Sequence, residues 1–177
     1  MQIRPMSDDN LNPQPNSKHC FVCGVENRFG LQLHFYEDGE GKVFADYAVP
    51  EQYQGYPGTV HGGILATMLD ELMGRALMSG DPNHFSVTAK ISIRYRKPVP
   101  IKQPLRLVGE LLQRRGRISL SRAEVRLPDG SIAVEAEATL IDLASTEVGQ
   151  PQLERLGWKV YPERTRELRE GAGNEPA

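Results

Sequence analysis

The segment His61-Gly62-Gly63-Ile64-Leu65-Ala66-Thr67-Met68-Leu69-Asp70-Glu71 joins a glycine pair to a run with helical periodicity. At about 100° per residue, Ile64, Leu65, Met68, Leu69, Leu72, Met73 and Ala76 fall on one wide arc, which predicts a mostly buried helix over 62–78. The opposite side carries Ala66, Thr67, Asp70 and Gly74. These are small or polar and leave room for close approach by another chain or a ligand, so chemistry is expected on that narrow face.

Outward from the helix, the pattern changes to strands. Leu31 to Tyr36, a Glu37-Asp38-Gly39-Glu40-Gly41 turn and Lys42 to Val49 predict a hairpin, and residues 50–60, with two prolines and two glycines, predict a structured loop. After the Gly80-Asp81-Pro82-Asn83 break, strands are expected at 86–97, 104–114, 117–127 and 131–143. Pro128-Asp129-Gly130 supplies a turn between the last two, since Pro presets φ and Gly accepts φ > 0. One long helix with long antiparallel strands implies an α+β domain whose sheet wraps around the helix. The free face of that sheet needs cover, and a second copy of the chain would supply it.

The boundaries follow from composition. Residues 1–18, with Pro5, Pro13 and Pro15 among Asn and Asp, lack the apolar surface to offset their ordering entropy and are expected to be a flexible arm. The folded domain is expected at 19–145. In the extension 146–177, Leu153, Leu156, Trp158, Val160 and Tyr161 are positioned to dock, whereas 164–177 is expected to be disordered.

The chain of 177 residues fits one core, and 39% hydrophobic with 25% charged residues is ordinary for a globular protein. A net charge of -2 gives no electrostatic footprint for nucleic acid or an anionic membrane. No stretch approaches the roughly 20 apolar residues of a membrane span, and the start is polar rather than leader-like. A cytoplasmic location is expected. Two cysteines, Cys20 and Cys23, are too few for a disulfide framework and fit a reducing compartment.

The His-Gly-Gly pair with Asp70 nine residues after His61, followed by Ile91-Ser92-Ile93-Arg94-Tyr95-Arg96-Lys97-Pro98, resembles the hotdog-fold acyl-CoA thioesterases of the PaaI type. The resemblance covers roughly residues 20–143. It implies a hotdog fold, an acyl-CoA substrate, no cofactor, and a homodimer or a dimer of dimers. Hotdog domains also serve as dehydratases and as non-catalytic acyl-CoA-binding modules, so the activity has to be argued from the site.

Thioester hydrolysis needs a polarised carbonyl and a nucleophile, and no metal. The first turn of a helix exposes unpaired N–H groups at the positive end of its dipole, and Gly62 and Gly63 stand there without side chains, as an oxyanion hole requires. In the family the Asp matching Asp70 is either a general base for water or a nucleophile giving a mixed anhydride. Glu71, four residues before Arg75, is expected to be a helical ion pair instead. The resemblance places Thr88 as the strand residue that assists Asp70 from a neighbouring subunit. Alternation over 86–97 puts Thr88 with Lys90, Ser92, Arg94 and Arg96, away from Val87, Ala89, Ile91, Ile93 and Tyr95. Arg94 and Arg96 there suit coenzyme A phosphates or a solvated face. Where many relatives have Asn, this chain has Gly55, leaving Gln54, Gln52 or His61 to orient the water or carbonyl. His61 otherwise orients the loop. His19-Cys20-Phe21-Val22-Cys23-Gly24 is read as a packing turn, since a zinc site typically needs four ligands.

Overall fold

The computed structural model describes residues 11–144 and 148–162. Helix α1 runs Gly62–Leu77 and buries Leu65, Met68, Leu69, Leu72, Met73 and Ala76, the arc set by the periodicity, together with Arg75 and Leu77. Among the described residues, seven strands follow in order as β1 (Asn12–Pro13), β2 (Tyr36–Glu37), β3 (Lys42–Ala48), β4 (Ser86–Tyr95), β5 (Pro104–Arg115), β6 (Ile118–Arg126) and β7 (Ile132–Asp142), with a short helix α2 at Gln150–Leu156. They form one antiparallel sheet in the order β1-β2-β3-β5-β6-β7-β4. The sheet curves around α1, the hotdog arrangement that the sequence implies.

The helix lies on Val43, Ala45, Leu105, Leu107, Ala123, Ala136, Ala138 and Leu140, all buried. Small residues at several of these positions let a helix backbone approach the sheet. The approach is closest at Gly109, where a Cβ would lie 2.7 Å from Leu72 O and 2.9 Å from Val43 Cγ1. No side chain fits there. β4 pairs with β7 and forms the far edge of the sheet, with no strand on its other side among the described residues.

Two expectations fail for physical reasons. Residues 31–36 do not form a strand: Leu31, Leu33 and Phe35 are buried in alternation, but Gln32 has φ 53°, and the Leu31 and Leu33 N–H groups bond to Phe21 O and Val22 O. Only Tyr36 and Glu37 pair with β3. The second failure concerns residues 11–18 of the arm expected to be flexible over 1–18. Residues 1–10 lie outside the described residues, but Gln14, Asn16 and Ser17 are buried. Gln14 Nε2 donates to Arg75 O at 3.1 Å, and Asn16 Nδ2 donates to Cys23 O and Leu33 O at 2.9 and 2.8 Å. Polar side chains that satisfy buried carbonyls offset the ordering cost, which a count of apolar residues does not register.

Arg75 is the meeting point of these segments. It is 1% exposed, bonded through Nε to Glu71 at 2.9 Å and through Nη1 to Pro15 O, with its guanidinium 4.4 Å from the Phe35 ring centre and 5.1 Å from that of Trp158. Trp158 docks as expected, donating to Pro82 O and packing on Phe85, while Leu156 and Val160 stay exposed. The expected disorder of 164–177 falls outside the described residues. Gly109→Ala should lower unfolding free energy by about 1–3 kcal/mol, the usual cost of overpacking, measured by urea denaturation. An unchanged midpoint would contradict the contact between α1 and β5.

Candidate active site

His61 caps α1. Its backbone is extended at φ -62°, ψ 134°, and its Nδ1 accepts the Gly63 N–H at 2.9 Å, which fixes the ring proton on Nε2. Its carbonyl accepts from Ile64 and Leu65. Of the first-turn donors, the Gly62 N–H is left with no partner among the described residues. The pair expected to form the oxyanion hole is therefore reduced to one donor, because Gly63 is spent on the cap. Tyr95 Oη donates to Gly62 O at 2.9 Å and fixes the Gly62–Gly63 peptide from the strand side, a role that the sequence reading did not assign. The signal was present, since Tyr95 is the aromatic of the strand motif.

The loop ahead of the helix is closed on itself. Gln54 Oε1 accepts the Gly58 N–H at 3.1 Å, and the Gly55 N–H bonds to Thr59 O. A Cβ at Gly55 would lie 3.2 Å from His61 Cα and 3.3 Å from its ring, which accounts for the glycine at that position. An open pocket of about 280 Å³ adjoins Gly62, with Val60, Leu65, Tyr95 and Pro98 as apolar walls and Arg96 and Lys97 among its lining.

Asp70 is exposed on the flank of α1, and Thr88 Oγ1 donates to its Oδ1 at 2.7 Å. Thr67 is spent on Gly63 O, and a Cβ at Gly74 would meet nothing within 4 Å, so the helix face beside Asp70 is open. The expectation that Thr88 reaches an Asp70 from another subunit is corrected: the two meet within one chain. The strand-face assignment is corrected too. Thr88 pairs with Leu140 and Ile91 with Ala138, both buried beneath the helix, and directly opposed residues share a face. A register shift between Thr88 and Lys90 breaks the period of two, so Thr88 joins Ile91, Ile93 and Tyr95 on the helix side.

Arg94 pairs with Glu135 across the sheet, on the face away from Asp70, and Arg96 makes an ion pair with Glu135. Glu71 takes the expected ion pair with Arg75. Cys20, Cys23 and Glu71 bring two Sγ atoms and a carboxylate oxygen within 4.8 Å of one another, and His19 is not part of this group. A larger depression of about 340 Å³ on the outward sheet face is lined by Lys42, Phe44 and Val108 and by Arg106, Arg122 and Arg126, which pair with Asp46, Glu110 and Glu124.

Residues 57–134 match the thioesterase superfamily. Over 70% of its length it is 29% identical to the mouse acyl-coenzyme A thioesterase THEM4, covering 53% of that protein. Over 68% it is 32% identical to the mitochondrial membrane protein FMP10 of Saccharomyces cerevisiae, covering 49%. The chain thus spans about half the length of these curated relatives. Among solved structures, a thioesterase superfamily protein aligns with TM-score 0.66 and 34% identity, over 71% of this chain and 61% of the other. Escherichia coli PaaI, at 15% identity and TM-score 0.58, shares the fold, as does a Streptococcus pneumoniae thioesterase solved with coenzyme A, at 24% and 0.55. No described helix is long and apolar enough to cross a membrane.

The cap sets the position of Gly62, so it has a measurable stability. His61→Ala should cost about 1 kcal/mol, as the loss of other N-caps does, and His61→Asn should recover most of it because its side-chain oxygen can accept the same N–H. Thermal melts of the three proteins decide this, and equal melting temperatures would contradict the cap.

Proposed function

We propose that this thioesterase-superfamily domain hydrolyses acyl-CoA thioesters to the free acid and coenzyme A. The observation that carries the reading is the Thr88–Asp70 hydrogen bond on the open flank of α1. Asp70 acts as general base for water or as nucleophile, Thr88 orients its carboxylate, and the Gly62 N–H receives the developing oxyanion at the positive end of the helix. His61 holds the first turn in place. Arg96 and Lys97, in the lining of the pocket beside Gly62, suit the phosphates of coenzyme A. The printed activity of the mouse relative and the coenzyme A in the pneumococcal structure support the substrate class.

The spacing on α1 adds a constraint. Gly62 and Asp70 are eight residues apart, about 12 Å along a helix that rises 1.5 Å per residue. One thioester carbonyl cannot lie about 3 Å from both. The working site therefore combines Gly62 and His61 of one chain with Asp70 and Thr88 of another, in a homodimer or a dimer of dimers. The open edge of β4 and its exposed Val87, Ile91 and Tyr95 favour such an assembly, because an unpaired apolar edge invites a partner. The free thiols fit a reducing compartment, with the cytoplasm and, from the yeast relative's location, the mitochondrion as candidates.

Asp70→Asn should lower turnover by at least about 10², the lower end of general-base assistance. Gly62→Pro deletes the open N–H at the helical position that proline tolerates, after an extended His61, and should cost about 10²–10³ with the fold intact. Mixing these two variants should restore activity, up to about half per heterodimer, since one of its two shared sites keeps both residues. Mixing Asp70→Asn with Thr88→Ala should restore none, because both lie in the same half. The reverse pattern, with subunit exchange verified by mass spectrometry, would refute this arrangement. A wild-type chain that binds acyl-CoA without turnover would instead be a binding module.

A further inference from the structure

The His19–Gly24 turn takes no part in the hydrolytic site, yet it is arranged around a sulfur. Cys20 Sγ accepts the Val22 N–H at 3.3 Å, and the Gly24 N–H returns to Cys20 O at 3.0 Å. Glycine is obligatory at the last position: a Cβ there would lie 2.3 Å from Cys20 O. Cys23 is 2% exposed, with Ser17 Oγ 3.6 Å from its sulfur, whereas Cys20 is half-buried and reachable. Both thiols are free, and Glu71 of α1 faces them, with Oε2 4.0 Å from Cys20 Sγ.

Two chemistries use paired cysteines at this spacing, metal ligation and thiol–disulfide exchange. The surroundings argue against a metal. Glu71 is already held by Arg75 at 2.9 Å, and a cation would sit against a guanidinium that is buried and fixed by Pro15 O and two aromatic rings. Two thiols and one committed carboxylate also fall short of the four ligands of a structural zinc site.

We propose that Cys20 and Cys23 form a reversible dithiol–disulfide couple, with Cys20 as the attacking thiolate, Cys23 as the resolving thiol and a low-molecular-weight disulfide as the oxidant. The Cys23 thiol donating to Cys20 Sγ, helped by the N–H groups of Cys23 and Val22, brings the Cys20 thiol down to about 6, against the opposing effects of burial and of Glu71. Cys23 moves the other way, because it is the donor of that hydrogen bond and is buried. The pair is thus divided into a ready nucleophile and a reserve thiol.

In the first step Cys20 Sγ attacks one sulfur of the disulfide. A Cys20–S bond forms, the disulfide bond breaks, and one thiolate leaves and takes a proton from water. Cys23 then loses its proton to water and attacks Cys20 Sγ, forming the Cys20–Cys23 bond and expelling the second thiolate. The protein loses two electrons and two protons, and the disulfide is reduced to two thiols. None of this depends on the hydrolytic assignment.

The test treats the full-length reduced chain with oxidised glutathione and reads intact mass and peptide maps. Wild type should lose the mass of two hydrogens and show a Cys20–Cys23 link. Cys23→Ala should stop at a glutathione adduct on Cys20, and Cys20→Ala should give neither product. Because Cys23 is a core residue, a second readout uses wild type alone: iodoacetamide alkylation of Cys20 should be half-maximal at a pH of about 6, set by Cys23, Glu71 and Arg75 around it. An alkylation midpoint at the free-thiol value of about 8.5 with no internal link would overturn the proposal. So would stoichiometric zinc on the purified protein that Cys20→Ala releases.

Discussion

Helix α1 reaches the sheet closely only because residue 109 has no side chain: a single methyl there would press on the helix backbone at Leu72. Everything else in the domain is placed relative to that contact. The apolar arc from Leu65 to Ala76 fills the concave side of β3, β5, β6 and β7, and the polar flank is carried past the sheet toward its β4 edge. Arg75 then fixes the rotation of the helix about its axis. Its guanidinium is buried among Glu71, Pro15 O, Phe35 and Trp158, so chain segments from both ends converge on one turn of α1. A buried arginine is tolerated only when paired and hydrogen-bonded, and here that requirement is met in part by Pro15 O, beside the Gln14 side chain that bonds Arg75 O.

The functional consequence is geometric. With α1 fixed, Asp70 projects from the flank toward β4, and the bulge after Thr88 turns that hydroxyl to meet it. The helix start lies two turns away, where the His61 cap and the Tyr95 hydroxyl hold the Gly62–Gly63 peptide, directly after the open Gly62 N–H. Under the proposed hydrolysis, Asp70 and the Gly62 N–H lie too far apart on one helix to act on the same carbonyl, so the site has to be completed by a second chain.

Much of this was legible in the sequence. The 3.6-residue period located α1 to within a residue, and alternation located β3 and β5 to β7, because both patterns report burial on a single face. The resemblance singled out Asp70, Thr88 and Gly62 as candidates, and the structure brings the first two into hydrogen-bond contact. What escaped were features that periodicity cannot encode. A one-residue bulge after Thr88 reverses every side-chain direction upstream of it, so the face assignment from alternation was inverted at the position that mattered. Gln14 and Asn16 order the arm through hydrogen bonds to carbonyls of distant segments, and composition scores such residues as loop-formers. Gly63 was matched with Gly62 as a donor because neither neighbour nor spacing shows that a histidine side chain occupies its N–H.

The central claim is that the first turn of α1 receives the thioester oxygen. Amide NMR of the full chain titrated with a non-hydrolysable acyl-thioether analogue of coenzyme A tests it without turnover. The account predicts that the Gly62 amide shifts most, with Thr88 and Tyr95 following and the outward sheet face unmoved. Saturable shifts confined to the outward face around Arg106, Arg122 and Arg126, with Gly62 unchanged, would contradict it.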